Sequence, residues 1–520
     1  MLRRRARNHA LQQPSTVMHA ADDHLPWYKD AGMWKMMLLM VMIYLTQVCT
    51  GYDATLTSNL QSFTRWKEDM GSPTSSQLGL ISAIYFIGCL CGSIPAALLT
   101  DRFGRKWGLA AGQFLTIVGV GFQAGSHGRG QYMGSRFILG FGIAFVTCAG
   151  PTFLSELAHS RMRGTLVSFF NPFWYLGSII AAWTCFGTSF MAATDHWAWR
   201  IPSLLQALFP CLVLPCIYFA PESPRWLVSR GRKADAEAVL AKYHGNGDRK
   251  HPVVVAQLAE IELALNQAQE GITWKALLTR KPNLHRLSIV VTMTLMALWC
   301  GQNIITYYFS PILKSVGITG TTRHDQRRPQ HSQPHLLAHR GHAFRPHGLP
   351  QALDDVLRRD DRFFVPFIAL SAVYAQTTKA SYGYGVVVCL FCFDIMYNVA
   401  CNPLLYSYPT EIMPFFMRSR GLAVKNLVGQ VALIINMYVN PIALASIEWR
   451  YYFVFLVLDC CWLAGIYFGF PETKGYSLEE LSSLFEATPA VVLLGQKVGD
   501  DGEVDAEMVT HTVKAKGTKE

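Results

Sequence analysis

Mainly apolar stretches of about 20 residues constrain this chain of 520 residues more than any other feature. A helix needs about 20 predominantly apolar residues to cross a bilayer. A shorter apolar stretch, at 363–377, falls below this length. The sequence therefore predicts an all-α membrane protein with spans near 33–52, 78–99, 107–125, 134–154, 164–188, 201–220, 286–306, 384–405, 421–445 and 450–470.

The composition agrees with a membrane location. Only 16% of the residues are charged, against about 25% in soluble domains. Lys and Arg outnumber Asp and Glu by 46 to 35, for a net charge of +11. In a membrane protein this excess marks cytoplasmic loops rather than a nucleic-acid surface. The thirteen cysteines lack metal-site spacing, and their odd number fits a disulfide framework poorly. A soluble enzyme, a disordered regulator and a secreted disulfide scaffold are all excluded.

Basic residues cluster at every second connection between the apolar stretches. Such clusters remain on the cytoplasmic side of a membrane. We therefore expect a multi-pass protein of the plasma membrane with both termini in the cytoplasm. The clusters are Arg3, Arg4 and Arg5, then Arg102, Arg105 and Lys106, then Arg161 and Arg163, and finally Arg418 and Arg420.

A weak internal repeat divides the chain into two halves. Glu156 and Glu411 each precede an arginine by seven residues, and Glu222 and Glu472 each follow a proline that ends an apolar stretch. The offsets, 411 − 156 = 255 and 472 − 222 = 250, nearly agree. Parallel repeats of this kind build transporters with a substrate site between the halves. We expect a cytoplasmic tail at 1–32, a six-helix half at 33–221, a cytoplasmic central loop at 222–284, a second helical half at 285–470 and a cytoplasmic tail at 471–520.

Seven short motifs follow one another in order: Gly51-Tyr52-Asp53, Asp101-Arg102-Phe103-Gly104-Arg105-Lys106, Glu156 with Arg163-Gly164, Trp197-Ala198-Trp199-Arg200-Ile201-Pro202, Pro221-Glu222-Ser223-Pro224-Arg225-Trp226-Leu227, Tyr307-Tyr308 and Pro471-Glu472-Thr473-Lys474-Gly475-Tyr476-Ser477-Leu478-Glu479-Glu480. Each motif alone is weak, whereas the ordered series is specific. The chain resembles a sugar porter of the major facilitator superfamily, and especially the fungal hexose and lactose-type permeases. The resemblance covers roughly 34–320 and 363–485.

The resemblance implies two six-helix halves that carry a mono- or disaccharide by alternating access, with proton symport. The expected partners are a small-molecule sugar, a proton and the lipid bilayer, but no nucleic acid, and the expected state is a monomer. No catalytic residue, cofactor or metal is implied, so the chain is not expected to be an enzyme. A non-transporting sugar sensor of the same fold is the alternative, although only about 35 residues follow Phe485, whereas such sensors usually have long cytoplasmic tails.

Charged residues of the motifs are expected to form a gate at the cytoplasmic ends of the helices. Exposed ion pairs contribute on the order of 0–1 kcal/mol each. A network worth a few kcal/mol is still enough to bias a two-state equilibrium. The alternative is that these charges only set topology. The candidates are Asp101, Arg105, Glu156, Arg163, Glu222, Arg225, Glu411, Arg418 and Glu472.

Asp53 and Arg136 are the best candidates for proton coupling, because charges inside a span are costly and therefore informative. In proton-coupled porters of the family an acid in the first span, near an arginine in the fourth, takes up the proton. Approach and separation of the two groups would change the carboxylate's proton affinity. The alternative is a structural ion pair in a uniporter. Asp394 and Asp459 also lie in spans but match no motif.

Amide and aromatic side chains are the expected sugar ligands, because they bind hydroxyl groups and apolar ring faces. Each amide could instead form an interhelical hydrogen bond. One departure from the family weakens a substrate assignment: Leu298 stands three residues before Gly301, where a glutamine is common, although Trp299 could stack on a sugar. The candidates are Asn171, Gln302, Asn303, Tyr307, Tyr308, Asn398, Asn402 and Tyr406.

Residues 321–362 do not fit a membrane carrier. These 42 residues contain eight Arg, six His and four Pro, where the repeat predicts the eighth span, a basic loop and the start of the ninth span. Histidine-rich tracts often bind metals. However, Pro329, Pro334 and Pro346 preclude one continuous helix here. We interpret the segment as a part of the fold that was lost or misread, because the coding nucleotides are present but translated in another reading frame. We expect this segment to impair transport.

Overall fold

The computed structural model describes residues 30–159, 162–192, 195–269, 278–304, 364–377, 379, 381–394, 397, 412–413 and 415–470. All regular structure in these ranges is helical. Six helical segments among them are long and apolar enough to cross a membrane. These segments are Ala31–Leu60, Ser75–Phe103, Arg129–Leu157, Thr165–Thr188, Trp197–Phe219 and Arg420–Ile466.

The first half contains nine helices in the described ranges. They are α1 (Ala31–Leu60), α2 (Thr64–Asp69), α3 (Ser75–Phe103), α4 (Arg105–Ala124), α5 (Arg129–Leu157), α6 (Arg163–Phe170), α7 (Pro172–Thr188), α8 (Trp197–Leu205) and α9 (Leu208–Phe219).

Short helices of the central segment precede the helices of the second half. They are α10 (Pro224–Ser229), α11 (Lys233–His244) and α12 (Pro252–Gln269). The second half follows with α13 (Lys281–Trp299), α14 (Phe364–Thr377), α15 (Ser381–Asp394), α16 (Phe415–Ile447), a 3₁₀ turn at Glu448–Tyr451 and α17 (Tyr452–Gly469).

The helices follow the apolar stretches of the sequence, but two stretches are each divided into a pair of helices. The stretch at 164–188 breaks at Asn171, because Pro172 lacks the N–H that would continue the hydrogen-bond ladder of α6. The stretch at 201–220 breaks between Leu205 and Leu208. The segment 321–362 lies outside the described residues.

Helices of the first half approach each other closely where glycines lie between them. α5 packs along α3 and α4, and α1 packs along α7. At Gly140 of α5, an added Cβ would lie 1.9 Å from the carbonyl oxygen of Tyr85 in α3. Small residues at such positions let backbones touch, which drives helix association in membranes.

Substitution of Gly140 by valine is expected to destabilise the folded protein strongly, because the backbone of α3 cannot yield 1.5 Å without unpacking. Gly134 lies on the same helix with open space around it, so Gly134→Val is the matched control. The measurement is the midpoint of thermal unfolding of the purified protein in detergent. We expect a fall of several degrees for Gly140→Val and little change for the control. Equal midpoints for both variants would contradict this packing.

The two halves meet along α3 and α16. At Gly79 of α3, an added Cβ would lie 2.7 Å from the carbonyl oxygen of Tyr438 in α16. Within the second half, α16 also packs along α13. Phe364, Phe367 and Phe393 form an aromatic core of α14 and α15. This arrangement places α3 of the first half directly against the second half.

His244 joins the central helices to the end of α5. Its Nε2 lies 3.1 Å from the carbonyl oxygen of Leu157, and its Nδ1 lies 2.6 Å from Oε1 of Gln257 in α12. Its ring also packs edge-on against His159, with centroids 5.0 Å apart. Burial lowers the pKa of His244 to about 4.

Docking of α11 is expected to weaken as the pH falls from 7 to 5. The unfolded histidine keeps an ordinary pKa near 6.5, so in this window only the undocked state takes up a proton. The loss is about 2 kcal/mol. The equilibrium constant for opening of α11, obtained by dividing amide hydrogen-exchange rates by the intrinsic rate at each pH, should therefore rise by about 20- to 30-fold. His244→Gln should flatten this pH dependence, whereas the exposed control His127→Gln should retain it. A wild-type opening constant that does not change over this window would contradict the role of His244.

Candidate functional site

A buried ion pair lies between α1 and α5. Nη1 of Arg136 is 2.5 Å from Oδ1 of Asp53, and the two side chains are 3% and 0% exposed. The guanidinium also lies over the ring of Tyr85, 4.5 Å from its centroid. Among the described residues, Oδ2 of Asp53 and Nε of Arg136 have no hydrogen-bond partner. One contact thus pairs both charges, while the second carboxylate oxygen of Asp53 has no hydrogen-bond donor among the described residues.

A second cluster joins the ends of α3 and α5 to the starts of α4 and α10. Arg105 is at its centre: its Nη1 donates to Oδ1 of Asp101 at 2.9 Å, and its Nε donates to Oε2 of Glu156 at 3.1 Å. The same Glu156 oxygen accepts a 2.5 Å hydrogen bond from the hydroxyl of Ser223. We call Asp101, Arg105, Glu156, Glu222 and Ser223 the Arg105 cluster.

Glu222 belongs to the Arg105 cluster as a cap on α4. Its Oε1 accepts hydrogen bonds from the backbone N–H groups of Arg105, Lys106 and Ser223, at 3.0, 3.2 and 2.9 Å. A carboxylate at a helix N-terminus is stabilised by the helix dipole. Burial raises the pKa of Glu222, although these backbone donors act in the opposite direction.

The close fit around Glu222 depends on Gly104. This residue has a φ of +109°, and an added Cβ would overlap the Glu222 carboxylate. Only glycine adopts this conformation readily. The sequence Phe103-Gly104-Arg105 therefore lets α3 end and α4 begin within a single residue.

Two predicted gate residues lie outside the Arg105 cluster. Arg163 lies 3.9 Å from Glu260 of α12 instead, and Arg225 forms no ion pair with a described residue. Sequence analysis missed Trp226 and Arg230, which donate to the backbone carbonyl of Asp101 at 2.8 Å each. Trp226 lies within the motif 221–227, but a backbone acceptor leaves no sequence pattern, so the sequence could not indicate either contact. Glu411 and Glu472 lie outside the described residues, and for Arg418 only the backbone is described.

Two predicted sugar ligands of the second half directly follow the end of α13, namely Gln302 and Asn303. The helix ends at Trp299, and Gly301 follows with a φ of +88°. The carbonyl oxygen of Leu298 then accepts hydrogen bonds from the side-chain amides of Asn303 and Asn436, at 2.8 and 2.9 Å. Asn303 thus uses one amide hydrogen at the end of its own span, not in the interhelical hydrogen bond that was its alternative role.

Gln302 extends from the same turn towards α15. Its amide nitrogen donates to a carboxylate oxygen of Asp394, and both side chains are about 7% exposed. Asp394 matched no motif, so the sequence could not pair it with Gln302. Asn171 is half-buried at the break between α6 and α7. Tyr307, Tyr308, Asn398, Asn402 and Tyr406 lie outside the described residues.

Comparisons with known proteins agree with these motifs. The family described as sugar (and other) transporter matches residues 39–323 and 363–485. The MFS-type transporter oryC of Aspergillus oryzae is 26% identical over 90% of this chain and 88% of its own length. The high-affinity glucose transporter 1 of Candida albicans is 26% identical over 84% of this chain and 83% of its own length. A probable quinate permease of Aspergillus fumigatus is also 26% identical, over 89% of this chain and 90% of its own length.

Solved structures show the fold. The inward-open xylose transporter XylE from E. coli superposes with a TM-score of 0.70 at 20% identity, over 86% of this chain and 99% of that one. XylE bound to 6-bromo-6-deoxy-D-glucose, described as a proton:xylose symporter, superposes with a TM-score of 0.69 at 19% identity, over 86% of this chain and 99% of that one. This chain is a multi-pass membrane protein with the major facilitator fold, and it belongs to the sugar (and other) transporter family.

Proposed function

We propose that this chain carries a mono- or disaccharide across the membrane by alternating access, coupled to proton uptake at Asp53. The buried contact between Asp53 and Arg136 is the observation that carries the coupling. Glucose transporters among the relatives and a sugar-bound, proton-coupled fold neighbour support the substrate class.

Proton coupling would follow from the geometry of the pair. While Arg136 contacts Asp53, its positive charge favours the ionised carboxylate. When α1 and α5 separate, a desolvated carboxylate favours protonation instead. A rocking motion that changes this one distance would therefore load and release a proton. Polar side chains at the end of α13 and Asn171 of the first half would hold the sugar.

Orientation and location complete the proposal. The Arg105 cluster joins helix ends of the first half to the start of the central helices, and Arg163 lies beside α12; we assign this end of the molecule to the cytoplasm. The cluster then acts as the cytoplasmic gate of the first half. A plasma-membrane location and a monomeric, non-enzymatic carrier are part of the same proposal.

Loss of Arg105 is expected to open the cytoplasmic end of the first half. The guanidinium holds Asp101 and Glu156, which end α3 and α5. The probe is half-buried Cys148, two turns before Glu156, and the measurement is its rate of labelling by a maleimide. We expect Arg105→Gln to raise this rate by about five- to tenfold, which corresponds to a shift of about 1 kcal/mol towards the open state. All other cysteines are replaced for this measurement. The control Arg225→Gln removes a cation outside the cluster and should leave the labelling rate unchanged. Equal rates for both variants would favour the alternative that these charges only set the topology.

Uptake of labelled substrates tests the proposed function. Cells without their own sugar transporters would express the chain, or a version with the equivalent segment of the Candida albicans glucose transporter at 321–362. The substrates are glucose, xylose, lactose and quinate. Saturable sugar uptake by either version supports the proposal. Uptake of quinate alone would reassign the substrate class, and no uptake by either version would overturn the proposal.

A further inference from the structure

A basic cavity opens where the start of α1 meets the end of α11. Its volume is about 310 Å³, and its lining includes Gly32, Lys35, Lys242, Asn246 and Arg249. The lining contains three cationic side chains and no carboxylate. Within the described part of the chain, none of the three cations forms an ion pair. The nearby carboxylate of Asp30 is occupied in capping α1, where its Oδ1 accepts from the N–H groups of Gly32 and Met33.

The cavity is a built feature of the fold. The N–H of Gly32 donates to Oδ1 of Asn246 at 2.9 Å, which ties α1 to the loop after α11. An added Cβ on Gly32 would lie 2.8 Å from the carbonyl oxygen of Tyr243. This close backbone approach fixes Lys35 on one wall and Lys242 on the other. The positive charge is therefore held around the cavity by packing between two helices.

The cavity lies at the level of the lipid headgroups. Trp34, Leu38 and Val41 are 52%, 56% and 50% exposed on one stripe of α1, as expected for a surface that faces lipid. The 30 residues of α1 span about 45 Å, whereas the hydrocarbon core is about 30 Å thick. The first turns of α1 therefore extend into the interface, where tryptophan is enriched and lysine reaches the headgroups.

We propose that the cavity lined by Lys35, Lys242 and Arg249 binds the phosphate-bearing headgroup of an anionic phospholipid. Three cations at this depth match a headgroup with more than one negative charge. The acyl chains would lie along the exposed stripe that begins at Trp34. The bound lipid would join α1 to α11, and hence a spanning helix to the central helices. This proposal depends on the cytoplasmic orientation proposed above in one respect, because that orientation decides which leaflet supplies the lipid.

Binding of short-chain lipids to the full chain in detergent tests the site without requiring transport. The probes are dioctanoyl phosphatidylinositol 4-phosphate, dioctanoyl phosphatidylcholine and inorganic phosphate. Each cation near a membrane surface contributes about a fivefold gain in affinity for an anionic lipid. The triple variant Lys35→Gln/Lys242→Gln/Arg249→Gln should therefore bind the phosphoinositide about 100-fold more weakly than the wild type. Phosphatidylcholine should bind weakly to both proteins.

A charge-matched control separates the cavity from general surface charge. Arg102→Gln/Arg225→Gln/Lys250→Gln removes three cations of the same side, none of which lines the cavity, and should weaken binding by less than fivefold. Equal weakening in both triple variants would overturn the site. If inorganic phosphate binds as tightly as the phosphoinositide, the cavity binds free phosphate, and the proposal of a lipid headgroup is overturned. If the cavity variant aggregates, Lys242→Gln alone should weaken phosphoinositide binding about fivefold, and unchanged binding would overturn the proposal.

Discussion

Replacement of residues 321–362 by the equivalent segment of a working sugar porter is expected to raise sugar uptake from background to a readily measured rate. The family match stops at residue 323 and resumes at 363, so it omits most of this segment. The span at 286–306 is expected to end outside, and Arg418 is expected to lie inside after the span at 384–405. An even number of further spans must therefore lie between these two spans, two as in the family or none, because an odd number would invert all later helices. The segment as written supplies neither the apolar length nor the basic loop.

Uptake of labelled glucose by transporter-null cells measures this effect. Surface labelling of both chains controls for expression, because a chain with missing spans also reaches the membrane poorly. Translation of the coding DNA in all frames provides an independent check. A frame that yields an apolar helix followed by a basic loop supports a misread segment. Sugar uptake at a normal rate by the chain as written would contradict the expected impairment.

Asp53→Asn in the segment-restored chain is expected to abolish sugar accumulation driven by a proton gradient. Asparagine accepts no proton, so the steady-state ratio of inside to outside sugar should fall to about 1. The substitution also leaves Arg136 buried without its counter-charge, and removal of one partner of a buried pair typically costs 3–5 kcal/mol. We therefore expect lower protein yields as well.

The double variant Asp53→Asn/Arg136→Gln separates coupling from folding, because it removes both charges together. It should recover yield but not accumulation, while exchange of labelled for unlabelled sugar continues. Glu68→Gln is the control, since exposed Glu68 pairs with Arg65 within α2, outside the spans. Proton-driven accumulation by Asp53→Asn would exclude Asp53 as the proton site. If the restored wild type fails to accumulate sugar, the pair is structural and the protein is a uniporter.

The sequence predicted the helices because spanning length and hydrophobicity are local properties of the chain. The motifs also grouped Arg105 with Asp101 and Glu156 at helix ends, and the three side chains are in contact. The pairing of Asp53 with Arg136 came from the family resemblance, and the two side chains are in contact. The cost of a charge inside a span singled out the two residues, but did not by itself identify them as partners.

Other contacts could not be predicted, because they depend on how helices pack rather than on residue type. The ring of Tyr85 lies over Arg136 because the close contact at Gly140 brings α3 against α5. Arg163 reaches Glu260 because α12 docks beside it, whereas Arg225 has the same charge but faces no described carboxylate. The hydrogen bond from Gln302 to Asp394 joins helices with no shared motif.

The contact between Gly79 and Tyr438 has a mechanical consequence for the proposed motion. It lies near the start of α3, 24 residues from the end of that helix at Phe103, a distance of about 36 Å along the axis. If the halves pivot there, a rotation of roughly 10° moves the opposite end of α3 by about 6 Å. Such a displacement is comparable to the width of a sugar ring. A pivot near Gly79 in the interface of α3 with α16 would therefore give the Arg105 cluster, at the far end of α3, the largest displacement.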